Sequence, residues 1–311
     1  MPSFQSIYNR LEYKIKCAVA RLAELQQENK DLQKENSILK QRQRDLEQEV
    51  ANLNEKMKTI KDITQALNKA TKIEPWMQEI AQDKRIGVIK AWTQFQKRLE
   101  KMAQLQAAHM EKLQFDASYL PHSKAYIAGT DEAGRGPLAG PVVTAAVILP
   151  NYCEELLGVN DSKQLSKEKR NEFAKRIKKH ALYYAVHFQS EDQIDKYNIY
   201  EATRQSMLKS IEALGVKPDF ILADAMTLHT DIPQASIIKG DAQSLAIAAA
   251  SILAKTARDD YMEQLDKKFP QYGFAQHAGY GTKQHLEALA KYGPTKHHRK
   301  TFEPIKSMIE N

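Results

Sequence analysis

Cysteine is scarce: the 311 residues hold only Cys17 and Cys153, far apart and without a CxxC spacing. That excludes a disulfide framework and a cysteine-based zinc site, and it fits a reducing, cytoplasmic compartment. No apolar run approaches the length of a membrane span, and the segment MPSFQSIYNRLEYK lacks the short apolar core of a signal peptide. The expectation is a protein with no membrane association that stays where it is made. Charge of neither sign dominates, since 46 Lys and Arg stand against 39 Asp and Glu. An excess this small fits a polyanionic partner, yet many proteins equally basic bind none. The length exceeds what a single core usually supports, so one α/β domain plus a second part is expected.

Proline is missing between Pro2 and Pro75, and a heptad pattern fills that gap. Position d is Phe4, Leu11, Ala18, Leu25, Leu32, Leu39, Leu46, Leu53 and Ile60; position a is Tyr8, Ile15, Leu22, Asn29, Asn36, Gln43, Val50 and Met57. Apolar residues every 3.5 positions keep one seam facing a partner helix, which predicts a coiled coil about 85 Å long. Leucine at d with Asn29 and Asn36 at a favours a parallel pair, in which Glu35 meets Lys40 and Arg42 meets Glu47 of the other strand. The alternative is one amphipathic helix folded back on its own domain. Pro75 is expected to end or kink the helix. Beyond it, Trp76, Ile80, Ile86, Ile89, Trp92, Phe95 and Leu99 have helical spacing and predict one or two short helices, read as packing surface rather than a nucleic-acid face. SYLPHSK (118–124) has the composition of a linker. The boundaries expected are 1–56, 57–120 and 121–311.

From Ala125 the pattern changes. AYIAGTDEA, PVVTAAVILP, LYYAVHF and DFILADA read as strands, QASIIKGD as a short extended piece. KEKRNEFAKRIKKH, IDKYNIYEATRQSMLKSIEALG and QSLAIAAASILAKTARDDYMEQL read as helices. Strands followed by alternating strand and helix indicate an α/β or α+β fold with a mixed sheet.

Within this domain GTDEAGRGPLAG (129–140) sets Asp131 and Glu132 in an apolar strand and follows them with Gly134, Arg135 and Gly136. Neighbours on a strand point to opposite faces, so both acids serve one site only where the strand ends or twists. The glycines permit close approach and Arg135 offers a charged fork for a phosphate; the plain alternative is a solvated turn. Asp224 ends the apolar run ILAD, and Asp241 stands ahead of an alanine-rich helix, where it is equally suited to be an N-cap. Four acids crowded into one cleft repel one another unless cations neutralise them. Oxygen ligands of this kind select Mg²⁺ or Mn²⁺, and two such ions can clamp the attacking and leaving oxygens of a phosphodiester displacement.

GTDEAGRGPLAGPVV, NDSKQLS (160–166), ADAMTL (223–228), IIKGDAQSLAIAAASILAKTARD (237–259) and YGFAQHAGYGTKQH (272–285) resemble bacterial ribonuclease HII over about Tyr126–Phe302. The region from about Met57 to Leu120 resembles the helical extension of members from Gram-positive bacteria, and Met57 resembles an original start. The heptads before it have no counterpart in that pattern. The resemblance implies an RNase H-like mixed sheet flanked by helices. It also implies hydrolysis of RNA in RNA·DNA hybrids and nicking of duplex DNA 5′ to an embedded ribonucleotide. By position, it assigns Asp131, Glu132, Asp224 and Asp241 to catalysis and to two Mg²⁺ or Mn²⁺ ions. Gly134, Arg135 and Gly136 are assigned to the phosphates and 2′-hydroxyl, and Tyr280 to stacking at the RNA to DNA junction. Asn160, Ser162, Lys163, Ser251 and Lys255 are assigned to the substrate backbone.

One departure is Ala278, where a lysine often precedes the Gly-Tyr pair; a missing phosphate contact is the consequence. The sister family, ribonuclease HIII, lacks the GRG tripeptide. Asp259 reads as a supporting carboxylate or an ion-pair partner, and His285, His297 and His298 have no zinc spacing. Two other classes compete: a scaffold whose coiled coil is the working part, and a metal nuclease of the same fold acting on DNA junctions.

Overall fold

The computed structural model describes residues 4–56, 59–160, 162 and 165–310. Lys163 and Met57 lie outside the described residues. The chain forms two compact units, Met1–Lys101 and Met102–Asn311. No helix among the described residues is long and apolar enough to cross a membrane.

In the first unit α1 is one helix of 53 residues, Phe4–Lys56. Leu25, Leu32, Leu39 and Leu46 of its d seam are each about half exposed in the single chain. Helix does not run unbroken to Pro75, where the lack of an earlier proline had placed its end, and the seam ends short of the Ile60 to which the heptads carried it. A new helix, α2 (Ile60–Lys69), starts behind Thr59, whose hydroxyl accepts the Asp62 N–H at 3.1 Å. The local Thr-x-x-Asp cap overrides the seven-residue series, which had carried Ile60 as a seam residue. Short α3 (Met77–Ala81) and long α4 (Ile86–Ala117) follow. The latter corrects the expectation of short helices, for no proline interrupts its 32 residues. Ile63, Leu67, Met77, Ile80, Val88 and Phe95 form a core, with Trp76, Trp92 and Leu99 packed on it. The tryptophans are therefore packing surface.

The second unit is built on five strands in the order β3-β2-β1-β4-β5. They are β1 (Ile127–Ala133), β2 (Val142–Ile148), β3 (Tyr183–Gln189), β4 (Phe220–Asp224) and β5 (Gln234–Ile237). β1 pairs antiparallel with β2 and parallel with β4, and β2–β3 is antiparallel while β4–β5 is parallel. This is the mixed sheet that the strand and helix alternation predicted.

Helices cover both faces, which is why β2, VVTAAVI, is buried along its whole length. On one face Met207 and Ile211 of α7 (Ile199–Glu212) meet Ala128, Ala146, Ile148 and Ile221. On the other, α9 (Leu245–Lys268) presents Leu245, Ala248, Ala249, Ile252 and Leu253 to Ala133, Ala145 and Val147. The approach of α9 is so close that a Cβ on Gly129 would stand 2.2 Å from the Ala246 carbonyl carbon. Alanines and this glycine are what permit it. α5 (Lys167–His180) fills the predicted span. The long helix expected from Ile194 is instead two, α6 (Glu191–Tyr197) and α7, because Asn198 takes φ 67° and its side chain caps α7 at the Glu201 N–H. The single turns α8 (Gly240–Gln243) and α10 (Phe274–His277), then α11 (Lys283–Tyr292) and α12 (Ile305–Glu310), complete the unit.

Candidate active site

β1 and β4 stay paired only as far as Thr130 opposite Ala223. From Asp131 onward β1 is held by β2 alone, and this freedom to twist lets consecutive side chains serve one cleft. Asp131, Glu132, Asp224 and Asp241 all line that cleft, together with Gly134, Arg135, Gly136, Ser162, Ser251, Lys255 and Tyr280. Asn160 does not line it; its Oδ1 accepts from Lys112 Nζ at 3.2 Å, and the same ammonium donates to the Asp241 carbonyl at 2.8 Å.

Each acid is set by its backbone. Asp131 Oδ1 accepts the N–H of Glu132 at 2.6 Å. Asp224, at the end of β4, accepts the Gly240 N–H at 2.7 Å, which ties the strand end to the turn carrying Asp241. Asp241 lies inside α8 rather than at its cap, so the N-cap alternative fails; Ser244 caps the following helix by accepting the Ile247 N–H.

Burial is the largest cause that pushes the Asp131 carboxyl well above its ordinary range, and the charges of Glu132 and Asp224 add to it. Glu132 is also pushed up by burial and by Asp224, against the pull of Arg135, whose Nη1 is 3.6 Å from its carboxylate. The second oxygen of Glu132 is buried with no hydrogen-bond partner. Two buried carboxyls pushed up by burial and by neighbouring acid charge, with an orphaned buried oxygen between them, form a site suited to a hard cation. Among the described residues no group of three or more His, Cys, Asp or Glu converges at metal-ligand spacing.

The remaining wall is cationic and hydroxylic. Ser162 and Ser251 share a hydrogen bond at 3.0 Å, and Lys255 pairs with Asp259 at 2.7 Å. Asp259 also meets Arg170 at 3.5 Å, so it is an ion-pair partner. Tyr280 stands about half exposed at the rim. His285 and His298 are buried among aromatic rings, with their Nε2 atoms 3.1 Å apart, while His297 is half-buried against Phe269 with its Nδ1 3.4 Å from the Glu191 carboxylate.

Sequence reasoning missed Arg258, which also lines the cleft. It is almost fully buried, and its guanidinium donates to the carbonyls of Pro141, Ala278 and Ala139. A signal was present: Ser251, Lys255 and Arg258 fall at i, i+4 and i+7, one helix face. Lys112 and Arg299, which reach the site from distant segments, gave no such signal.

The profile of the Ribonuclease HII family matches residues 128–304, and that of the Ribonuclease HII N-terminal domain matches residues 59–120. The chain is 48% identical over 254 residues to Ribonuclease HII of Staphylococcus saprophyticus, covering 81% of this chain and 99% of that protein. To Ribonuclease HII of Bacillus cytotoxicus it is 46% identical over 256 residues, covering 81% and 98%. Among solved structures, ribonuclease H2 from Pyrococcus horikoshii is similar with TM-score 0.53 and 28% identity, covering 60% of this chain and 97% of that one. RNase HII from Archaeoglobus fulgidus, solved in a PCNA complex, is similar with TM-score 0.51 and 28% identity, covering 57% and 95%.

Proposed function

Because the chain belongs to the ribonuclease HII family, endonucleolytic hydrolases of RNA in RNA·DNA hybrids, we propose that it also nicks duplex DNA 5′ to a single embedded ribonucleotide. The products are a 3′-hydroxyl and a 5′-phosphate. The observation that carries this reading is the shared cleft: four carboxylates, the GRG tripeptide and an exposed tyrosine line one surface.

In this reading Asp131, Glu132, Asp224 and Asp241 hold Mg²⁺ or Mn²⁺, and the acid charge that pushes up the Asp131 and Glu132 carboxyls, with the orphaned Glu132 oxygen, is what a cation would relieve. When bound, the cations supply an activated water and stabilisation of the leaving 3′ oxygen. The chain's own groups place the strand. Gly136 leaves room beside the Tyr280 ring, since a Cβ there would already touch it at 3.6 Å. Arg135 gives a phosphate a charged fork, and Lys255, Ser162 and Ser251 line the backbone path. Tyr280 offers a stacking face to the sugar and base at the junction, where loss of a 2′-hydroxyl distinguishes DNA from RNA. Lys163 completes the set as a substrate contact, and Asn160, bonded to Lys112 beside the cleft, reaches the strand only once substrate is bound. The working divisions are 1–56, 57–120 and 121–311, and the enzyme acts in the cytoplasm.

The test is product mapping on a labelled duplex with one ribonucleotide, with Mg²⁺ or Mn²⁺ and an all-DNA control. One nick 5′ to the ribonucleotide is expected, and Tyr280→Ala is expected to lower that nicking more than it lowers binding. Cleavage confined to longer RNA tracts would overturn the single-ribonucleotide reading, and cleavage of the control would favour a DNA-junction nuclease.

A second observation favours a partner for α1, which lies outside both matched family regions. Its half-exposed leucines, Asn29 and Asn36 at a, and the complementary pairs Glu35 with Lys40 and Arg42 with Glu47 fit a second copy in parallel. Light scattering of the full chain and of a chain starting at Met57 decides it. A dimer that becomes a monomer on truncation is expected; equal masses would refute self-association.

A further inference from the structure

Two consecutive buried side chains of the carboxyl-terminal region, His298 and Arg299, reach two different walls of the cleft without lining it themselves. The Arg299 guanidinium donates through Nη2 to the Gly134 carbonyl at 2.6 Å and through Nη1 to the Arg135 carbonyl at 2.8 Å. Nε and Nη2 both donate to the Gly140 carbonyl, at 3.0 and 2.8 Å. Its backbone N–H is held by the Leu138 carbonyl, and the Gly140 N–H by the His297 carbonyl. The fork thus grips the first two carbonyls of the GRG tripeptide and the end of the same loop.

Peptide planarity turns this grip into orientation. In a trans peptide the N–H points opposite to the C=O. Carbonyls of Gly134 and Arg135 aimed at Arg299 therefore aim the N–H groups of Arg135 and Gly136 away from it. Among the described residues neither N–H makes a backbone hydrogen bond, so both are available to an oxygen ligand in the cleft.

His298 reaches the other wall through a chain whose proton positions are dictated. Its Nδ1 accepts the Thr295 N–H at 2.9 Å, so in the neutral ring the proton sits on Nε2. Nε2 donates to His285 Nε2 at 3.1 Å, which leaves the His285 proton on Nδ1, donated to the Tyr280 carbonyl at 2.9 Å. The His277 ring stacks on His285 at 4.6 Å and accepts the Gly279 N–H, fixing the residue before Tyr280. The two walls are themselves joined where the Leu138 N–H meets the Gly279 carbonyl at 2.9 Å.

We propose that residues 295–299 form a positioning strap that holds the GRG tripeptide and the Tyr280 turn in one geometry. In it Arg299 and His298 are positioning residues for ribonucleotide recognition. This inference rests on the substrate reading proposed above. Arg299 is needed as a fork, because the donors of its planar guanidinium are spread over three nitrogens to match three carbonyls, whereas those of an ammonium leave one nitrogen. The His285 proton at Nδ1 ties the Tyr280 carbonyl, which also accepts the Thr282 N–H at 2.8 Å, to the buried histidine chain.

The test compares Arg299→Lys, Arg299→Met, His285→Ala and His285→Asn with the wild-type chain, per folded molecule, on a one-ribonucleotide duplex and on an RNA·DNA hybrid. Asparagine can keep a donor near the Nδ1 position. Arg299→Lys is expected to raise KM on both substrates about 10- to 100-fold with a smaller change in kcat, the size of loss that misplacement by about 1 Å produces. His285→Ala is expected to lose at least about tenfold more on the single ribonucleotide than on the hybrid, with His285→Asn recovering part of it. Arg299→Met carries the same expectation; should it fail to fold, Arg299→Lys decides. Wild-type kinetics in folded Arg299→Lys, or equal losses on both substrates for His285→Ala with no recovery by asparagine, would overturn the strap. If the wild-type chain itself left the single ribonucleotide uncut, the failure would belong to the substrate reading, and Arg299→Lys on the hybrid would still judge the strap.

Discussion

The α-carbon of Gly134 rests directly on the guanidinium of Arg258: a Cβ at Gly134 would stand 1.9 Å from Arg258 Nε and 2.4 Å from Cδ. Arg258 cannot retreat, since its three nitrogens hold the carbonyls of Pro141, Ala278 and Ala139. Gly134 also takes φ 94°, outside the range that L side chains favour. Gly134→Ala therefore meets strain and collision together. An expected loss of about 2 to 4 kcal/mol of stability in urea, with cleavage reduced at least about tenfold, follows. A change below about 0.5 kcal/mol would show that the loop moves freely and that this contact fixes nothing.

Asp131→Asn separates stability from chemistry. Burial and the charges of Glu132 and Asp224 disfavour the Asp131 carboxylate, so at pH 8 its charge opposes folding. Asparagine keeps an acceptor for the Glu132 N–H. In EDTA the variant is expected to melt at or slightly above the wild-type temperature, while cleavage falls about a thousandfold, several kcal/mol of transition-state stabilisation. Added Mn²⁺ should raise the wild-type melting temperature more than the variant's, by linkage. Retained cleavage would remove Asp131 from the cation-binding set, and a large fall in melting temperature would contradict the electrostatics.

Asp116 tests how the end of α4 supports α9. One carboxylate oxygen accepts the Ala246 N–H at 3.0 Å, and the other is buried without a partner. Burial pushes this carboxyl up to about 6 against the bonds from Ser244 and Ala246. A folded-state value above the ordinary 3.8 means that its stabilising share is present below about pH 4 and lost as pH rises through 6. Asp116→Asn keeps an acceptor and removes the charge, so a gain of about 1 to 2 kcal/mol at pH 8, vanishing by pH 4, is expected. Asp116→Ala leaves the helix N–H unpaired and should cost about 1 kcal/mol. A pH-independent effect of the asparagine would refute the shifted carboxyl.

These residues also show what the sequence carried. Asp131, Glu132 and Asp224 were legible because a charge at the end of an apolar strand needs a reason, and strands with few polar breaks are easily bounded. β1, β2 and α5 were legible for the same cause: period and flanking residues agreed. The break at Thr59 was not, because a seven-residue repeat extended over fifty positions outweighs one local cap. Neither was the break at Asn198, which depends on a positive φ that the neighbours' packing sustains. Arg258 and Arg299 were least legible, because all but one of the carbonyls they hold lie more than a hundred residues away, and a carbonyl has no letter.

His298 is a buried imidazole whose neutral form is built into its contacts, and acid should expose that. Burial, with His285 beside it, lowers its value from 6.5 to about 4. Between those values the unfolded chain binds a proton that the folded chain does not, so folding weakens as pH falls from 7.5 toward 4. The integrated loss from this residue is about 2 kcal/mol at pH 5. His285 and His187 are lowered in the same direction by burial, while the raised carboxyls of Asp131, Glu132 and Asp116 act oppositely over the same range. A single-residue difference isolates the term: asparagine can accept the Thr295 N–H but has no proton to gain. The cost of His298→Asn in urea unfolding is therefore expected to shrink by about 2 kcal/mol between pH 7.5 and pH 5. A cost unchanged across that range would mean that His298 is protonated as easily when folded as when unfolded. Its Nδ1 would then be free of the Thr295 amide, and the proton order from His298 through His285 to Tyr280 would be lost with it.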